Sequence, residues 1–131
     1  MRLVVHADGG CWPNPGPAKC GVVVLNEAGH VIDEIRKDLG HGTNNTAEWA
    51  GLIQALTYAV GNRSVNHLTV RMDSLLVVNC ATGRWKTKKG HLRPFLSQAS
   101  ALLGDLHARG CAVRIEWVPR EQNELADALT R

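Results

Sequence analysis

LVVHADGGCWPNPGPAKCGVVVLNEAGHVIDEIRK, residues 3–37, decides the fold, because it holds three β segments in succession before any helix. Residues 3–8 (LVVHAD) are a nearly continuous apolar run, which marks a central strand. Residues 9–18 (GGCWPNPGPA) are dense in Gly and Pro and read as a turn. Residues 19–25 (KCGVVVL) form a second strand. NEAGH at 26–30 has hairpin composition, and 31–37 (VIDEIRK) alternate as a third strand with a more polar face. Short turns make the three an antiparallel meander, so the third strand runs in the same direction as the first.

Residues 40–44 (GHGTN) read as a loop. The spacing then predicts a helix from about Thr46 to Val60, with Trp49, Leu52, Ile53, Leu56 and Val60 as its apolar stripe and Gly61 and Asn62 ending it. A strand at 67–72 (HLTVRM), a short helix at 75–82, a basic segment GRWKTKKGHLR at 83–93 and a helix from Pro94 to Arg109 follow. Gly110 closes that helix. A last strand at 112–118 (AVRIEWV) stops at Pro119, and a final helix covers 123–131. Helix-containing crossovers make the last two strands parallel to the first. With 131 residues and no repeat, linker or low-complexity stretch, a single α/β domain over 1–131 is expected.

This topology gathers four acids that are far apart in sequence. Asp8 ends strand 1, and Asp73 lies just past strand 4. The first helix and the last helix both start at that same edge, carrying Glu48 and Asp127. The carboxyl edge of an open α/β sheet is where sites are built. Four carboxylates at close range repel, and one must protonate unless a cation compensates. Oxygen ligands without Cys or His neighbours select Mg²⁺, with Mn²⁺ as substitute. Two ions about 3.5–4 Å apart suit in-line phosphoryl displacement. Each acid also has a bland reading. Glu48 stands at capping-box spacing from Asn45. Asp73-Ser74 resembles a cap for the next helix. Asp127 falls about 140° from the Leu125/Leu129 stripe at 100° per residue, as a solvated acid does. Asp8 is the hardest to dismiss, since a charge ending a buried strand needs a partner.

The totals narrow the class. No apolar run approaches 18 residues, so no membrane span is read. The opening MRLVVHADGG breaks at His6 and Asp8, as a strand does and a signal peptide does not. Cys11, Cys20, Cys80 and Cys111 form no CxxC pair or zinc-like spacing. They read as free thiols of a reducing compartment, here the cytoplasm, with a Cys11–Cys20 disulfide left open. Net charge is +3 from 15 basic and 12 acidic residues. If four acids face a metal, eight remain against those 15, a basic surface suited to a polyanion.

DGGCWPNPG at 8–16, TNNTAEWAGLIQAL at 43–56, MDS at 72–74 and NELADAL at 123–129 together resemble the type 1 ribonuclease H family across essentially the whole chain. The resemblance implies a ribonuclease H-like fold, a five-stranded mixed sheet of order 3-2-1-4-5 flanked by helices. It implies metal-dependent hydrolysis of the RNA strand of RNA–DNA hybrids, giving 5′-phosphate and 3′-hydroxyl ends. Asp8, Glu48, Asp73 and Asp127 would hold two Mg²⁺ ions, and Glu48 would also contact an RNA 2′-hydroxyl. Asn14, Asn44 and Asn45 would lie in the minor groove. Backbone around Gly9, Gly10 and Cys11, together with Ser74, would face the ribose, and Thr43 would meet a DNA phosphate. Reading the 2′-hydroxyl separates RNA from DNA without reading bases.

Two departures from the family pattern stand out. Many members carry a histidine in the loop before the last acid. Here that loop is VPREQ at 118–122, with Arg120 and Glu121 and no histidine after His107. The 83–93 segment is also too short for the basic handle of some bacterial members, which places the chain with the handle-less archaeal and bacterial variety. Lys86, Lys88 and Lys89 in that segment are expected to contact phosphates, and Trp85 to pack at the helix junction, with stacking on a substrate sugar or base as the other reading. Trp49 and Trp117 are expected in the core. Trp12, in the Gly/Pro-rich loop, is left open. His6 shares a strand face with Asp8, and either supports that acid or sits as a satisfied core histidine. His41 lies near Glu48 as a further phosphate contact. A monomer without an obligate protein partner is expected. A non-catalytic hybrid-binding module would need no metal quartet, and a response-regulator-like domain would not open with three strands.

Overall fold

The computed structural model describes residues 1–87 and 89–131, so Lys88 lies outside the described residues. In chain order the elements are β1 Arg2–Cys11, β2 Gly16–Leu25, β3 Val31–Gly42, α1 Asn44–Val60, β4 His67–Met72, α2 Leu75–Ala81, α3 Arg93–Ala108, β5 Ala112–Trp117 and α4 Glu124–Ala128. Single 3₁₀ turns at Gly90–Leu92 and Arg120–Gln122 precede α3 and α4. The sheet order is β3-β2-β1-β4-β5. β2 pairs antiparallel with both β1 and β3, while β4 is parallel to β1 and to β5. The expected fold class and strand order are therefore found.

The core lies between α1 and the sheet. Leu3, Val5 and Ala7 of β1, Val22 and Val24 of β2 and Leu68, Val70 and Met72 of β4 meet Trp49, Leu52 and Leu56 of α1. Alternate β1 residues therefore point to one face, as the two-residue strand period requires. Trp49 is fully buried, as the helix stripe predicts.

The strands are longer than the sequence reading, and its two loops are shorter. β1 runs on to Cys11 and β2 starts at Gly16, leaving residues 12–15 as the turn rather than 9–18. Gly9 and Gly10 look like punctuation in the sequence, but Gly9 serves packing: a Cβ there would sit 2.1 Å from the Ala47 carbonyl carbon. Residues 40–42 of the expected 40–44 loop belong to β3. Opposite Ala18 and Lys19 the register shifts, with Gly40 at φ 73°. That glycine makes a bulge, and the strand continues past it.

α1 starts two residues early, so Glu48 stands in its second turn. Its cap is Thr43, whose hydroxyl accepts from the Thr46 N–H while the Thr43 N–H donates to Thr46 Oγ1. The Asn45–Glu48 capping box is thereby excluded, and Glu48 has no local helix duty. α4 is one short helix after a 3₁₀ turn, not a helix over 123–131.

Two tryptophans correct the expected core. Trp117 is 44% exposed, because it ends the edge strand β5, and its indole N–H donates to the Asp73 carbonyl at 3.2 Å. Trp85 is 50% exposed, in the segment after α2. All four cysteines are free and buried, so no Cys11–Cys20 disulfide forms. No helix among the described residues is long and apolar enough to cross a membrane.

Candidate active site

Two close backbone approaches bring the acids together. Gly9 of β1 lies against Ala47, and Gly51 of α1 lies against the Asp8 backbone, where a Cβ would fall 2.8 Å from the carbonyl oxygen. Removing both side chains lets α1 settle on β1, which sets Glu48 over Asp8. On the neighbouring strand, a Cβ at Gly21 would fall 2.6 Å from the Leu129 Cβ and 2.9 Å from the Ala126 carbonyl oxygen. That approach docks α4 on β2 and carries Asp127 to the same edge. Asn123, fully buried, fastens the start of α4: its amide donates to the Ala7 carbonyl at 2.9 Å, and its Oδ1 lies 3.0 Å from His6 Nδ1. His6 is thus a hydrogen-bonded, half-buried histidine, whose burial lowers its pKa.

Asp8, Glu48 and Asp73 each offer a carboxylate oxygen within 4.8 Å of the other two. Asp8 is only 3% exposed. Burial raises the pKa values of Asp8 and Glu48 well above the ordinary carboxylate range; the Asp8 and Asp73 carboxylates raise Glu48 further, while at Asp8 the Glu48 hydrogen bond opposes the rise and the Asp73 charge adds to it. Glu48 Oε2 is buried without a hydrogen-bond partner. A buried carboxylate oxygen left unpaired is expensive. An all-oxygen donor set with one orphaned oxygen fits a hard divalent cation.

Asp127 stands apart within the cluster. It is 6% exposed, and Arg131 Nη2 reaches its Oδ2 at 2.8 Å while Arg120 Nη2 reaches its Oδ1 at 3.5 Å. Burial works to raise its pKa, but the Arg131 hydrogen bond, the Asp8 contact and the two guanidinium charges outweigh burial and lower it. The solvated-acid reading of Asp127 is therefore corrected: a short docked helix buries what a helix wheel places outside.

The acids open into a cleft of about 670 Å³ that is also lined by Gly9, Gly10, Cys11, Asn44, Asn45 and Ser74. Asn14 joins through its Oδ1, which accepts the Asn44 N–H at 3.1 Å, and Asn44 Oδ1 accepts the Cys11 N–H at 3.0 Å. Thr43 is occupied as the α1 cap, and Ser74 caps α2 through the Val77 N–H. His41 is exposed. Trp85, Lys86 and Lys89 border a different groove, with Leu76 and Leu92. The sequence reading left Trp12 open and missed Arg131 and Thr130, all of which line the cleft. Arg131 was legible as a cation four residues after Asp127, whereas nothing local signalled Thr130.

A sheet of this order, with carboxylates converging on its carboxyl edge, defines the ribonuclease H-like class of α/β domain. A family model described as Reverse transcriptase-like matches residues 6–131. The bifunctional protein Rv2228c of Mycobacterium tuberculosis is 43% identical over 131 residues, covering 98% of this chain and 34% of that protein. Ribonuclease HI of Halobacterium salinarum is 39% identical over 128 residues, covering 98% of this chain and 62% of that protein. The chain thus spans about a third of the mycobacterial relative and under two thirds of the halophilic one. The solved N-terminal RNase H domain of Rv2228c superposes with a TM-score of 0.88 at 40% identity, covering 99% of this chain and 91% of that one. LC11-RNase H1, solved in complex with an RNA/DNA hybrid, gives 0.88 at 32% identity, covering 98% and 93%. The chain belongs to the ribonuclease H family.

Proposed function

We propose that residues 1–131 form a single catalytic domain that hydrolyses the RNA strand of RNA–DNA hybrids, leaving 5′-phosphate and 3′-hydroxyl ends. The observation that carries this reading is the Asp8, Glu48 and Asp73 cluster, with its buried, unpartnered Glu48 oxygen. A relative solved with a hybrid bound supports the substrate. Asp8, Glu48, Asp73 and Asp127 would hold two Mg²⁺ ions, or Mn²⁺ in their place. Bound there, such ions activate water and stabilise the charge on the leaving oxygen.

The chain's own groups then position the duplex. Asn14, Asn44 and Asn45 present amides to the minor groove, where both strands display acceptors. The backbone of Gly9, Gly10 and Cys11, with Ser74, faces the ribose. Glu48 reads a 2′-hydroxyl, the group that distinguishes RNA. Thr43 stands at the start of α1 for a DNA phosphate, Lys86, Lys88 and Lys89 would take backbone phosphates, and Trp85 would stack on a sugar or base. The enzyme would act as a cytoplasmic monomer.

Cleavage of an end-labelled hybrid, beside RNA–RNA and DNA–DNA duplexes and with or without EDTA, tests the proposal. Mg²⁺-dependent cuts confined to the RNA of the hybrid are expected. Cutting that persists in EDTA refutes the metal role, and tight hybrid binding without cleavage in Mg²⁺ or Mn²⁺ leaves only a binding module.

A further inference from the structure

We propose that Trp12 is an apolar platform that lies against the riboses and base edges of a wide, shallow minor groove, and that it adds to the preference for such duplexes. This inference rests on the hybrid reading above. Trp12 is 87% exposed, more than the other large apolar residues on the surface. An indole left in water forgoes the burial that such a side chain ordinarily gains. Its position is not arbitrary, because it lines the same cleft as Asp8, Glu48 and Asn44.

The turn that carries Trp12 is fastened on both sides. Its own N–H donates to the Pro17 carbonyl at 3.3 Å. Cys11 N–H is held by Asn44 and Asn14 accepts from Asn44, which ties the turn to the start of α1. The buried Cys11 thiol lies within 3.3 Å of the Pro13, Gly16 and Gly42 carbonyl oxygens. A flat apolar surface held this way loses little freedom on binding.

The other tryptophans have different duties. Trp49 is core, Trp117 is bonded to the Asp73 carbonyl and Trp85 borders another groove. In the cleft, carboxylates and amides supply the polar contacts, and Trp12 adds an apolar face for the sugars that line a minor groove. An A-like duplex offers its sugars in a wide, shallow minor groove. The B-form minor groove, about 6 Å wide, closes them off.

The test is equilibrium binding by the full chain carrying Asp73→Asn, to a hybrid, an RNA duplex and a DNA duplex of one sequence. Adding Trp12→Ala should weaken hybrid and RNA duplex about ten-fold, the size of one truncated apolar anchor. DNA duplex binding should barely change, and Trp12→Phe should restore most of the loss. In the chain with Asp73 intact, the Trp12→Ala change should fall on KM more than on kcat. Unchanged hybrid affinity in Trp12→Ala overturns the inference, as does an equal loss on all three duplexes or a Trp12→Phe variant no better than Trp12→Ala. If the chain with native Trp12 neither binds nor cuts hybrid, the hybrid reading falls and takes this inference with it. Hybrid cleavage that ignores Trp12 sinks the platform alone.

Discussion

The value of a single residue here depends on which neighbours claim it. Asn45-x-x-Glu48 has the spacing of a capping box, yet Thr43 and Thr46 perform the capping and Glu48 is left for the cleft. Sequence spacing could not decide this, since both pairs fit the same local chemistry. Asp8 was legible from its own environment, because a charge at the end of an apolar run is costly unless a cation or a donor meets it. Asp73→Asn keeps the size and hydrogen-bonding shape of the side chain but removes its charge. We expect cleavage to vanish while hybrid binding survives, read by gel assay and anisotropy; measurable turnover would remove Asp73 from the ligand set. Cys20 makes a second prediction. Burial pushes its thiol up to about 11, with Lys37 opposing in part. From the ordinary thiol pKa up to that value, the unfolded chain has lost this proton and the folded chain keeps it. Stability should therefore fall as pH rises through that window. The native thiol should resist a disulfide reagent at neutral pH until denaturant is added.

Elements meet at the site through missing side chains. α1 approaches β1 because Gly9 and Gly51 face backbone, and α4 approaches β2 because Gly21 does. Strand and helix identities were legible from apolar periodicity, and the strand order from the resemblance to the ribonuclease H family. The extents were not, because Gly9 and Gly40 act in packing and bulging and resemble turn residues in sequence. The core placement of Trp117 and the packing reading of Trp85 failed for a related reason: residue type favours burial, but the end of an edge strand and a segment between helices offer no cover. Gly51→Ala is a direct probe. Its Cβ would fall 2.8 Å from the Asp8 carbonyl oxygen, so α1 must shift. We expect a loss of about 1–3 kcal/mol in denaturant unfolding, the usual range for overpacking. A shift of α1 also moves Glu48, so Mg²⁺ should bind more weakly, as calorimetry would report. Thr43→Ala should cost about 1 kcal/mol through the lost cap, leaving the Mg²⁺ affinity of the folded protein intact.

The whole molecule carries stored repulsion at one end of a well-packed sheet. Asp8 and Glu48 have raised pKa values, so the metal-free fold is most stable while they hold protons. It should lose stability as pH climbs above the ordinary carboxylate range. Mg²⁺ must displace those protons, so its stabilising effect in thermal unfolding should be larger at mildly alkaline pH than at acid pH. An equal effect at both would mean that these acids are not the ligands. The gathering at one edge was legible from topology alone, while its division into a close trio and an arginine-held fourth was not, since the division depends on how α4 docks. That division has a consequence in ionic strength. The two guanidinium groups holding Asp127 are 77% exposed, within reach of mobile ions, whereas Asp8 and Glu48 are set by the packing of α1 on β1. Added salt should loosen the fourth carboxylate and leave that packed pair as it is, so this small cluster has one corner tuned by the surrounding electrolyte and an inner part that ignores it.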